Sequence, residues 1–177
     1  WRLVTDAVHE QGGLIACQLW HCGRLSLPEF HDGQPPVAPS AINPNWKMFS
    51  TTGHPETVTP HALTRDEIKA IVGDFRRGAA NALAAGFDGI EIHSSNGYLF
   101  HQFFSHQSNQ RDDEYGGSSA NRMRYPLEVF DAVRAAWPTD KPMGVRVSAT
   151  DWVDGGWTPE ETVGFAQELK NLGCDCL

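Results

Sequence analysis

Cations are scarce in this 177-residue sequence, which has 14 Lys and Arg against 22 Asp and Glu and a formal net charge of −8. Nucleic-acid phosphates are held by clustered Lys and Arg, so a scattered few exclude a nucleic-acid footprint and equally disfavour an acidic membrane surface. No run approaches the ~20 apolar residues of a membrane span, and no basic segment followed by an apolar run opens the chain, so a cytoplasmic location is expected. The four cysteines, Cys17, Cys22, Cys174 and Cys176, have no C-x-x-C spacing and form no dense disulfide framework; reduced structural thiols are expected. G-x-G-x-x-G, G-x-x-x-x-G-K-[ST] and H-E-x-x-H are all absent, which removes the dinucleotide fingerprint, the P-loop and the zinc-protease motif. His101 and His106 lack an acidic cluster or a second pair, so they read as surface or supporting histidines and no metal is expected. Internal repeats and low-complexity tracts are missing too.

What the sequence does contain is an alternation of strand and helix signals. Leu3, Val4, Ala7 and Val8 recur at helical spacing before Gly12-Gly13, and the apolar run Leu14 to Cys17 follows. From Leu25 to Leu63 the pattern dissolves into prolines, glycines and polar residues, a length that predicts a lid over a site. Thr64-Arg65-Asp66-Glu67 is a capping box opening a helix whose apolar face carries Ile68, Ile71, Val72, Phe75, Ala79 and Leu83. Phe87 to His93 reads as a strand, and a polar connection leads to a helix with Leu127, Val129, Phe130 and Val133. Met143 to Val147 is a third strand, Thr158-Pro159-Glu160-Glu161 caps another helix, and Cys174 to Leu177 begins a fourth strand. The alternation means parallel βα units, arranged either as a barrel or as a doubly wound sheet, and periodicity alone leaves both open.

Three strands end in polar groups that packing alone would not select: Gln18, His93 and Arg146. Side chains alternate along a strand, so Gln18 shares a face with Trp20, Glu91 with His93, and Arg146 with Ser148. A buried Arg146 would need a partner, for which Glu91 or an anionic ligand edge would serve. His93-Ser94-Ser95-Asn96-Gly97-Tyr98 places an imidazole, a carboxamide and a phenol within six positions. Imidazole and amide N–H groups can hold a carbonyl oxygen as charge builds on it, and a phenol can deliver a proton nearby, a combination suited to enone reduction.

These residues carry a resemblance to the Old Yellow Enzymes, the family that includes NADPH dehydrogenases and 12-oxophytodienoate reductases. It runs through Gln18-Leu19-Trp20-His21-Cys22-Gly23-Arg24, Pro36-Val37-Ala38-Pro39-Ser40, Glu91-Ile92-His93 with Asn96-Gly97-Tyr98, Gln102-Phe103, Ser108-Asn109 to Asn121-Arg122, and Val145-Arg146-Val147-Ser148. Pro near His106, Thr near Asp112 and Glu near Ala120 are family features that this sequence lacks, and none of the three bears a proposed chemical group.

The resemblance implies an α/β fold, a partial (β/α)8 barrel of roughly strands 3 to 6 with their helices, with residues 1–177 the central part of one FMN-binding domain truncated at both ends. It also implies an NAD(P)H-dependent oxidoreductase acting on the C=C bond of an α,β-unsaturated carbonyl compound. Gln18 and Arg146 match residues that contact the flavin ring, His93 and Asn96 those that hold the substrate carbonyl, Tyr98 the proton donor, and Trp20 an aromatic that shapes the substrate pocket. Partners are then small molecules, with FMN as cofactor and NAD(P)H as reductant. An open half-barrel exposes strand edges, so pairing into a homo-oligomer is one expected consequence. Two other readings stand beside this one: the barrel segment of a larger flavin and iron–sulfur reductase of the dienoyl-CoA reductase kind, and an inactive remnant of the fold.

Overall fold

Both capping boxes that the sequence predicts are formed, and they set the phase of the fold. The computed structural model describes all residues from Trp1 to Leu177. In chain order the elements are α1 (Arg2–Glu10), β1 (Ala16–Leu19), β2 (Val37–Ala38), β3 (His61–Ala62), α2 (Arg65–Ala84), β4 (Gly89–Ser94), α3 (Leu99–Phe104), α4 (Ser119–Arg134), β5 (Met143–Val147) and α5 (Pro159–Asn171). Thr64 accepts from the Glu67 N–H while Glu67 accepts from the Thr64 N–H, and Thr158 and Glu161 do the same at α5. Gly86, at φ 89°, and Gly173, at φ 87°, follow the last turns of α2 and α5 in the left-handed conformation that ends a helix at low cost for glycine.

β1, β4 and β5 form one parallel sheet in chain order, and Cys176 bridges in parallel to Gly144 on the far side, where the fourth strand is expected. No strand order reverses. One face of this sheet, with Cys17, Leu19, Ile90, Ile92, Met143 and Val145, joins the hydrophobic core with Phe75 of α2, Phe130 of α4 and Phe165 of α5. The opposite face presents Ala16, Gln18, Trp20 and Arg146, all exposed. Helices on one face and a sequential parallel order are the features of a barrel arc, and they settle the choice against a doubly wound sheet, which is covered on both faces.

Several expectations are corrected. The apolar face predicted for α1 is exposed, with Leu3 at 87%, while its buried residue is Thr5, whose hydroxyl donates to the Ala85 carbonyl at 2.5 Å. The connection after β4, read from the sequence only as polar, is folded and partly buried. α3 buries Leu99, Phe100, Phe103 and Phe104, and Asn109 donates to the carbonyls of Phe103 and Tyr115, both at 2.8 Å. Arg111 forks onto Asp113 at 3.0 and 2.6 Å and donates to the Pro39 and Leu63 carbonyls at 2.8 and 2.5 Å, tying this connection to the long segment before α2. That segment is itself folded: β2 pairs with β3 in parallel, and antiparallel bridges Lys47–Glu56 and Ser50–Gly53 make a hairpin.

Candidate active site

Sheet register decides which side chains share the open face. Gln18 lies opposite Glu91 and His93 opposite Arg146, so Trp20, two residues past Gln18, comes level with His93. Trp20 and Tyr98 have ring centroids 4.8 Å apart, His93 and Tyr98 5.4 Å, and Trp20 and His93 6.1 Å. The structure thus brings His93, Trp20 and Tyr98 into one aromatic group, with Asn96 in the turn between His93 and Tyr98.

Gln18 donates its side-chain N–H to the Glu91 carboxylate. Arg146 is exposed and forms none of the ion pairs of the fold. The expected burial of Arg146 is therefore corrected, and of its two possible partners Glu91 is engaged by its register partner Gln18, which leaves the guanidinium unpaired on the open face. His93 is 6% exposed, and its Nδ1 is buried without a hydrogen-bond partner. Burial first, then the Arg146 cation, push its pKa down and so favour the neutral ring, against the opposing pull of Glu91. A buried imidazole nitrogen left unmatched by protein groups is an exception in a folded protein and calls for a partner.

The turn after β4 is conformationally demanding, since Asn96 and Gly97 both have positive φ, 60° and 77°. Asn tolerates this region better than most residues, and Gly without penalty. Asn96 N–H donates to Ser148 Oγ at 3.0 Å, and Gln102 Nε2 donates to the Gly97 carbonyl at 2.8 Å and the Cys22 carbonyl at 3.1 Å. Gln102 Oε1 also accepts from the Arg24 N–H at 3.1 Å, so one buried carboxamide clamps the loop after β1 to the turn after β4. Gly23, at φ 59°, is required there, because a Cβ would lie 2.3 Å from Gln102 Oε1.

A cleft of about 650 Å³ lies between Asn96, Gly97 and Tyr98 on one side and Trp46, Met48 and Phe49 of the hairpin on the other. This is the position the sequence predicts for a lid. A smaller cleft of about 360 Å³ lies behind the same turn, lined by Arg24, His101 and Asp151 among others. Sequence reasoning missed Asp151, because its contact with His101 joins positions 50 residues apart and no local signal marks it.

The open face fits FMN. A carboxamide from β1 and an unpaired guanidinium from β5 flank β4, which suits a planar ring carrying acceptor atoms and negative charge. The match to known proteins agrees. The model of the NADH:flavin oxidoreductase / NADH oxidase family matches residues 1–177. An NADPH dehydrogenase of Clostridium acetobutylicum is 46% identical over 170 residues, 96% of this chain and 47% of the relative. The solved Old Yellow Enzyme homologue of Zymomonas mobilis superimposes with a TM-score of 0.90 at 37% identity, covering 98% of this chain and 49% of that one. Morphinone reductase in complex with tetrahydroNAD superimposes with a TM-score of 0.88 at 41% identity, covering 98% and 50% respectively. The chain spans about half the length of the curated relatives it matches. It belongs to the NADH:flavin oxidoreductase / NADH oxidase family and carries part of the Old Yellow Enzyme barrel.

Proposed function

We propose that the protein is an FMN-dependent NAD(P)H oxidoreductase that reduces the C=C bond of α,β-unsaturated carbonyl compounds, with residues 1–177 forming the central part of its single barrel domain. The observation that carries this reading is the approach of His93 to Tyr98, with Asn96 in the turn between them, beside an open sheet face bearing Gln18 and Arg146.

When bound, FMN would supply the redox chemistry, hydride transfer between NAD(P)H and the alkene. Arg146 and Gln18 would hold its ring, with the guanidinium offsetting negative charge there. His93 and Asn96 donate N–H bonds to the substrate carbonyl oxygen, withdrawing electron density from the alkene and opening its β-carbon to attack. Tyr98 gives its phenolic proton to the α-carbon and is reprotonated from solvent, so the product gains one hydride and one proton. Trp20 and the hairpin residues Trp46 and Phe49 supply apolar walls for the substrate.

Tyr98→Phe in the FMN-loaded protein separates the two half-reactions. Flavin reduction by NADPH is expected to keep its rate while the enone step slows by about 100-fold or more, within the range of general acid catalysis. An unchanged enone step would remove Tyr98 from its assigned role.

A further inference from the structure

The turn that presents Asn96 and Tyr98 is held from behind by a histidine bonded to the glycine between them. Gly97 N–H donates to His101 Nδ1 at 2.8 Å. A backbone N–H can only donate, so Nδ1 carries no proton, and the ring's proton resides on Nε2. Nε2 in turn donates to Asp151 Oδ1 at 2.5 Å, and both side chains are largely buried, at 14% and 7% exposed. Asp151 is fixed on its other side, where Oδ2 accepts from the Trp157 N–H at 3.1 Å and the Asp151 N–H donates to the Trp157 carbonyl at 3.0 Å. Burial alone would raise the Asp151 pKa; the bonds from His101, Ser105 and Trp157 outweigh it and hold the carboxyl below its usual range. Trp157 is itself buried and stacked on Phe104 with centroids 4.5 Å apart, so the chain of contacts ends in the core.

We infer that His101 is a positioning residue of this site: oriented by Asp151, it accepts the Gly97 N–H and so holds the Asn96–Gly97–Tyr98 turn in its left-handed conformation. The need is physical. Asn96, like any residue with a Cβ, incurs a conformational cost at positive φ, and such a backbone persists only where the surroundings over-determine it. Ser148 fixes one end of the turn, Gln102 takes the Gly97 carbonyl, and His101 takes the Gly97 amide, so the glycine between the carboxamide and the phenol is held at both of its backbone polar groups. The consequence for catalysis rests on the ene-reductase reading: a loosened turn would misplace the oxygen-holding and proton-giving groups together.

The test uses the FMN-loaded protein with His101→Ala and His101→Asn. The Asn Oδ1 occupies the place of Nδ1 and retains the acceptor while losing the link to Asp151. Amide hydrogen exchange at Gly97 should accelerate at least tenfold in His101→Ala, and the enone step should slow about tenfold with flavin reduction by NADPH unchanged. His101→Asn should restore part of both, because it returns the acceptor without the Asp151 bond that orients it. Thermal unfolding of each variant separates this local effect from global destabilisation, since the inference requires fast Gly97 exchange in a protein that is otherwise folded. Wild-type exchange at Gly97 in His101→Ala, or a His101→Asn variant no better than His101→Ala, would overturn it. Should the wild-type protein fail to reduce any enone, the functional reading falls, and the exchange measurement still decides the part played by His101.

Discussion

The Gln18 carboxamide and the Glu91 carboxylate are hydrogen-bonded register partners on β1 and β4, and their pairing leaves Arg146 of β5 unpaired on the same open face. An exposed cation without a protein partner contributes little to stability, so its replacement should be felt by a ligand and not by the fold. Arg146→Ala is expected to leave the unfolding free energy within ~0.5 kcal/mol of wild type. FMN affinity, followed by the change in flavin fluorescence, should fall roughly 10- to 100-fold, the value of a hydrogen bond to a charged group. Unaltered affinity would place the flavin elsewhere.

Arg122 makes the contrasting case. It is 2% exposed, donates to the Phe104 carbonyl and the Glu161 carboxylate, and lies 5.7 Å from the Trp157 ring centroid. Removing one partner of such a pair strands the other groups, so Arg122→Ala should destabilise the protein by about 3 kcal/mol in a denaturant titration. A loss below ~1 kcal/mol would mean that solvent replaces these bonds, as it does for exposed pairs.

Acid should loosen the fold through its histidines. Burial, then the neighbouring His31, push the pKa of His21 down from 6.5 to about 4. Because the folded value lies below the unfolded one, the unfolded chain binds more protons: the stabilisation is complete above pH 6.5 and declines as pH falls toward about 4. His93 is shifted in the same direction, chiefly by burial. His21 adds a slope of up to ~1.4 kcal/mol per pH unit in this window. His21→Asn, which can still accept the Gly23 N–H that His21 Nδ1 accepts at 3.0 Å, should flatten the pH dependence of the unfolding midpoint between pH 4 and 6.5. An unchanged slope would show that His21 is solvated.

Local signals made the barrel arc legible. Thr64 with Glu67 and Thr158 with Glu161 marked two helix starts, and Gly86 and Gly173 their ends, because caps act over three or four residues. The alternation Gln18-Trp20, Glu91-His93 and Arg146-Ser148 gave the shared face correctly, since strand periodicity needs no tertiary knowledge. Six-residue α3 was not legible: its N-cap, Tyr98, makes no side-chain capping bond, and Leu99 to Phe104 is buried too uniformly to show a helical period. The two-residue pair of β2 with β3 and the bond from His101 to Asp151 join distant positions and leave no local trace. The free state of Arg146 likewise depends on which neighbour Glu91 engages, which only the register decides.

The most direct test of the central claim is to reduce the FMN-loaded protein with NADPH under anaerobic conditions, mix it rapidly with 2-cyclohexenone, and follow flavin absorbance while identifying the product. The account predicts saturable reoxidation of the flavin with formation of cyclohexanone, lost when His93 and Asn96 are both replaced by Ala. Flavin that stays reduced in the presence of the enone, or reoxidation indifferent to His93 and Asn96, would contradict it.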